Sequence, residues 1–174
     1  MARMSRPAAL AVALLFANAS RADEPVPAPA AQESWSHSRR FVAVGDPAAK
    51  RTRVFRVEPD GRRTPTWSMK GWFRVFALAD DGEHLVTGHD GMGLLPVEHP
   101  RNEALLVFFR RGVEVARVTL RDLLGDAPLR PTASHLYWGH YGGLDERGRF
   151  FVDTVDGRRL AFDVMTGRRV EGKR

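Results

Sequence analysis

Histidine, carboxylate and aromatic side chains are the groups in this chain that could do chemistry, and their spacing decides which chemistry is open to them. His84, His89, His99, His135 and His140 invite a metal reading, but His135 and His140 stand five apart, which puts them on opposite faces of a strand. Zinc sites combine short-spaced ligands on one face with a further ligand, and calcium needs a dense oxygen loop that Asp80, Asp81 and Asp90 are too sparse to supply. His89, Asp90 and His140 are the best metal set on offer, the default for each being a hydrogen-bonded turn or core residue, and no metal or cofactor is expected. Ser134, His135 and Asp145 hold the parts of a hydrolase triad without the Gly-x-Ser-x-Gly elbow that exposes a nucleophile. Asp80-Asp81 and Asp145-Glu146 could flank a glycosidic bond, yet both fall at matching turns of an internal repeat, and a turn role explains both. Gly91-Met92-Gly93 lacks the strand-to-helix setting and third glycine of a dinucleotide loop. With no cysteine, thiol nucleophiles, thiolate metal sites, disulfides and lipid attachment through Cys are excluded.

Two stretches point to binding. Tyr137, Trp138, His140 and Tyr141 lie among Gly139, Gly142 and Gly143, and aromatic rings beside exposed backbone grip sugars and peptides. The competing role for Trp138 and Tyr141 is core packing, with the glycines permitting a bulge. The second stretch, residues 88–103 (GHDGMGLLPVEHPRNE), carries His89, Asp90, Leu94 and Leu95 in a long loop; such loops on rigid β scaffolds are where binding concentrates, the alternative being a tolerated insertion.

The elements that must position these residues are short strands. Runs at 41–44 (FVAV), 54–57 (VFRV), 72–78 (WFRVFAL), 85–87 (LVT), 105–109 (LLVFF), 113–120 (VEVARVTL), 150–154 (FFVDT) and 160–164 (LAFDV) are apolar, β-branched or aromatic, and many alternate at period two. Between them lie Asp60-Gly61, Asp81-Gly82, Asp90-Gly91, Arg111-Gly112, Arg147-Gly148, Asp156-Gly157 and Thr166-Gly167, pairs that supply the positive φ of tight turns. One short helix is expected over 120–124 (LRDLL), ended by Gly125. The segment from Leu78 to Gly91 aligns without gaps on that from Leu144 to Gly157, and 105–115 answers 160–170 with a smaller offset, so the first copy carries an insertion around 93–103. A vestigial earlier copy runs through 41–44, 54–57, Asp60-Gly61 and 64–68. Strand, turn, strand, hairpin, strand, turn, strand is the order of a four-stranded blade that must stack on neighbours to bury its faces.

The amino terminus reads as an export signal. Arg3 and Arg6 precede an unbroken apolar run over 8–17, followed by small-x-small patterns ending at Ala19 and Ala22, whereas a membrane span needs about 20 apolar residues. Cleavage after Ala22 or Ala19 gives a periplasmic or secreted protein with no membrane span. Of the 27 basic residues three lie before the later cut, while all 21 acids follow it, so the mature chain carries +3. Its basic residues are scattered pairs beside turns, unlike the clustered stripe a nucleic-acid binder needs. Arginine outnumbers lysine 24 to 3, which reads as a composition bias. Residues 23–34 (DEPVPAPAAQES) read as a Pro/Ala-rich linker, leaving 35–174 as a single domain.

The segments FALADDGEHLVTG, LDERGRFFVDT and RRLAFDVMTGRRV resemble the "DGxxLxxG" and "aFDxxTGxxV" parts of β-propeller repeats of the WD40 and quinoprotein-like kind. ALLVFFRRGVEVARVTLRDLLGD, followed by SHLYWGHYGGLDERGRFF, resembles small exported bacterial proteins of unassigned function. The resemblance spans 73–170 and implies strand-and-turn order rather than chemistry. It departs from closed propellers in having about three blades' worth of chain, where such rings have roughly 4–8. The expectation is an all-β protein of antiparallel four-stranded meanders arranged propeller-like, with a β-sandwich as alternative. It would act by binding a protein or envelope polymer, with a homo-oligomer completing the ring as one option. A hydrolase using His89, His140 and Asp90 or Asp145 between blades is the rival.

Overall fold

The computed structural model describes residues 28–171. The export signal and the first five residues of the expected linker lie outside the described residues.

Fifteen strands and one helix follow in order: β1 Gln32–Trp35, β2 Phe41–Asp46, β3 Arg51–Val57, β4 Arg63–Lys70, β5 Phe76–Leu78, β6 His84–Gly88, β7 Leu94–Leu95, β8 Ala104–Arg110, β9 Val113–Thr119, α1 Leu120–Leu124, β10 Arg130–Pro131, β11 Leu136–Tyr137, β12 Gly139–Leu144, β13 Arg149–Thr154, β14 Arg159–Asp163 and β15 Arg169–Val170. They form three antiparallel four-stranded meanders, β1-β2-β3-β4, β5-β6-β8-β9 and β12-β13-β14-β15, and a small sheet ordered β10-β11-β7. The protein is all-β, and the internal repeat is physical: β6 answers β13, β8 answers β14, and the insertion is the segment between β6 and β8 that contains β7.

Each meander alternates along its strands, and the two faces that meet a neighbour are apolar. Ala43, Val54 and Met69 of the first meander pack on Leu78 and Leu85 of the second. Val86, Leu106, Phe108 and Val118 of the second pack on Phe150, Val152, Leu160 and Phe162 of the third. The leading strands come together, β5 touching β1, β2 and β12, so the stack has its inner strands at a common axis.

The two end faces of the stack are built differently. On the first meander, Arg63 donates twice to Glu33, and both Arg39 and Arg63 lie over the Trp35 ring, 5.3 and 5.2 Å from its centre. On the third, the outward residues of β13 are Arg149, Phe151 and Asp153, with Arg149 and Arg159 over the Phe151 ring at 5.5 and 4.9 Å. Polar outer faces are what terminal units of a repeat stack need to stay soluble. Arg74 on Trp72 and Arg130 on Tyr137 repeat the device. The arginine excess therefore has a local use: a planar guanidinium covers an aromatic face that an ammonium fits less well.

Two expectations shift. The run 72–78 becomes strand only from Phe76, because Trp72 turns away to donate its indole N–H to the Ala30 carbonyl at 2.9 Å. Gln32 to Ser34, read as linker, belong to β1: they pair with Gly45 to Ala43, and the Ser34 hydroxyl accepts the Leu78 amide. The helix matches its expected span, capped by Thr119, whose hydroxyl accepts the Asp122 amide while the Asp122 carboxylate accepts the Thr119 amide.

Candidate binding site

The two stretches singled out for binding, residues 88–103 and 137–143, are parts of one body. Leu94 and Leu95 of β7 pair with Tyr137 and Leu136 of β11, and the Trp138 amide donates to the Gly93 carbonyl at 3.0 Å. The inserted loop is thus fastened to the strand that leads into β12.

Two aromatics, Trp138 fully buried and Tyr141 partly so, do the fastening. Trp138 is fully buried and donates its indole N–H to the Met92 carbonyl at 2.9 Å, fixing the loop's tip. The Tyr141 hydroxyl accepts the His89 amide at 2.6 Å and donates to the Leu105 carbonyl at 2.9 Å, tying the loop's start to β8. The rings meet edge to face, with centres 5.2 Å apart. Burial pushes the Tyr141 phenol up, against the stabilising donation from His89, so it stays neutral. A side chain at Gly88 would run into the Tyr141 ring, so this position must be bare for the clamp to close.

Tyr141 is partly buried and keeps a share of the cleft lining, while Trp138 and Leu95 are core residues that position the site. The reason is the inserted loop itself, which folds back and covers them. Leu94 and Tyr137 are half-buried in the small sheet, with the Arg130 guanidinium 4.5 Å from the Tyr137 ring centre.

The histidines and acids separate. His89 accepts the Gly91 amide on Nδ1 and has Glu103 at 3.7 Å from Nε2. Asp90 is exposed and faces Arg74 at 3.4 Å. Asp145 accepts the amides of Arg147 and Arg149 and pairs with the Arg149 guanidinium. His140 is exposed, with Nε2 3.0 Å from Asp153 and Nδ1 3.3 Å from the Tyr137 hydroxyl. Asp153 was missed in the sequence: it reaches His140 only through the register that sets β12 against β13. Ser134 meets His135 through its hydroxyl, and Asp145 is engaged elsewhere as described. Among the described residues no group of three or more metal-ligating side chains assembles.

Between β5 and β12, under the loop tip, lies a cleft of about 300 Å³. Val75, Phe76 and Ala77 form one wall, Tyr141 and Phe150 another, and Met92 and His140 stand over it. Met92 is 45% exposed and sits at φ 56°, a left-handed conformation unusual for its type. The cleft is apolar with one imidazole held by a carboxylate and a phenol, a lining that suits an apolar group and orients it through a single polar contact.

Among the described residues no helix is long and apolar enough to cross a membrane. Comparison with protein-family models and with curated protein sequences finds no match.

Proposed function

We propose that this chain is an exported binding module of propeller-type repeats that holds a protein or an envelope polymer at the cleft between β5 and β12. The observation that carries this reading is the convergence of the inserted loop and the aromatic–glycine run on one apolar cleft, roofed by an exposed methionine. A partly buried tyrosine and a buried tryptophan use their polar atoms to fix that loop, which prepares a surface before a partner arrives and lowers the entropy lost on binding. Export is supported by the positive start, short apolar run and small-residue exit of residues 1–22. The hydrolase reading draws less support, since His89, His140, Asp90 and Asp145 each engage a different partner. The charged end faces favour a stack complete in itself over half of a two-copy ring, because both internal contacts between meanders are apolar.

The test is retention of envelope components on the immobilised protein, compared with Met92→Asp. Asp tolerates the left-handed backbone at this exposed site, so the fold is kept while a charge enters the apolar roof. A component held by the wild type and released by the variant supports the reading. Equal retention by both removes it.

A further inference from the structure

A second concavity lies where the three meanders converge on the axis. This pocket, about 430 Å³, is walled by the ends of β1, β5 and β12 and by the turn after β14. Its floor is apolar and closed: Leu78, Ala79 and Val164 are buried, and Leu144 lies beside them. Two cross-links frame its rim. The Ser38 amide donates to Asp80 at 2.8 Å, joining the first meander to the second. His37 reaches Glu146 at 3.7 Å, joining the first to the third.

The charge of the lining is opposite to that of the chain. Asp80, Asp81, Asp145, Glu146 and Asp163 outnumber Arg147 and His37 in the lining, in a protein whose formal net charge is +6, although Asp145 also pairs with Arg149 and Asp81 with His84 from outside it. Asp81, Asp145 and Asp163 are locked in place by backbone amides, so their charges need no ordering when a ligand arrives. A recess with apolar walls and one sign of charge focuses the field and concentrates counter-charged solutes. We infer that the axial pocket is a second binding site, separate from the loop cleft, for an organic cation: an ammonium head at Asp80 and Glu146 and a short apolar stem on the Leu78–Val164 floor. Glu146 is 66% exposed on its side chain, and among the described residues its ion-pair partner is the His37 imidazole at 3.7 Å.

Titration calorimetry of the purified protein with n-hexylammonium, 1-hexanol and hexanoate tests this. The cation should bind one site about tenfold or more tighter than either isostere, a difference of about 1.4 kcal/mol. Added salt should weaken it, because a rim charge is screened. Glu146→Gln and Asp80→Asn should each reduce its affinity, whereas Met92→Asp, at the other cleft, should leave it unchanged. The Asn amide oxygen can still accept from Ser38; should that variant fail to fold, Glu146→Gln decides alone. Equal binding of hexylammonium and hexanol, no binding at all, or affinity unchanged by Glu146→Gln overturns the inference without touching the loop cleft.

Discussion

Replacing Tyr141 with Phe should detach the inserted loop from the scaffold while leaving the ring in place. The hydroxyl serves two groups at once, accepting the His89 amide at 2.6 Å and donating to the Leu105 carbonyl at 2.9 Å. Leu105 is fully buried and falls at a register shift of β8 against β9, outside the paired residues on either side, so its carbonyl loses the partner this clamp supplies. A stranded buried donor or acceptor costs about 1–3 kcal/mol, and taking the lower half of that range for each of the two groups gives about 2–4 kcal/mol. At about 3 °C per kcal/mol for a chain of this size, thermal unfolding should move down by about 6–12 °C. Amide exchange should accelerate first at His89 and Met92 to Leu95, and little in β2 and β3, which the clamp does not touch. A melting shift below about 2 °C, or faster exchange spread evenly over all three meanders, would refute the clamp as the loop's anchor.

Glycine substitutions separate backbone cost from collision. Gly61 and Gly82 both have positive φ, but a Cβ at Gly61 meets open space whereas one at Gly82 strikes the Phe41 ring. Gly61→Ala should cost about 1 kcal/mol and Gly82→Ala about 2–4 kcal/mol in denaturant melts, equal costs counting against the packing of Phe41 on that turn. Acid should destabilise the fold: burial raises the Asp81 and Asp145 carboxyls, but the amides and side chains of Glu83, His84, Arg147 and Arg149 outweigh it and hold both below 3.8. A depressed folded value means stability present above the unfolded value and lost as pH falls through the folded one, so melting should drop below about pH 4. Asp145→Asn should flatten that drop, and a parallel curve would contradict the assignment. Arg63→Lys should cost under about 1 kcal/mol, since the pair with Glu33 is half exposed, and should leave Trp35 more accessible to quenchers in fluorescence. Quenching equal to the wild type would remove the capping role of the guanidinium.

Where period-two alternation met a turn glycine, the chain was legible from its residues. The runs at 41–44, 105–109 and 150–154 carry the cores of β2, β8 and β13, and α1 was announced by 120–124 (LRDLL) ended by Gly125. β1 was hidden because Gln-Glu-Ser-Trp has no apolar alternation; its place depends on pairing with β2 and on Ser34 meeting the second meander. β7, β10 and β11 are two residues each, too short for any period to register. β12 was hidden by its three glycines, two of which, Gly142 and Gly143, lie at a bulge after Tyr141. At the candidate site, residue type named two segments that the fold brings together, but not how deeply each residue is buried. Trp138 looks like a contact residue until the loop from another repeat is laid over it, and Asp153 becomes the partner of His140 only through strand register.

The most direct measurement of the account's central claim is backbone amide chemical-shift mapping of the protein against the envelope component it retains. Perturbations should gather at Val75 to Ala77, Met92, Gly93, His140 and Gly143, in the lining of the loop cleft. Perturbations gathered instead around Trp35 and Arg63, or around Phe151 and Arg159, would place binding on the charged end faces and contradict it.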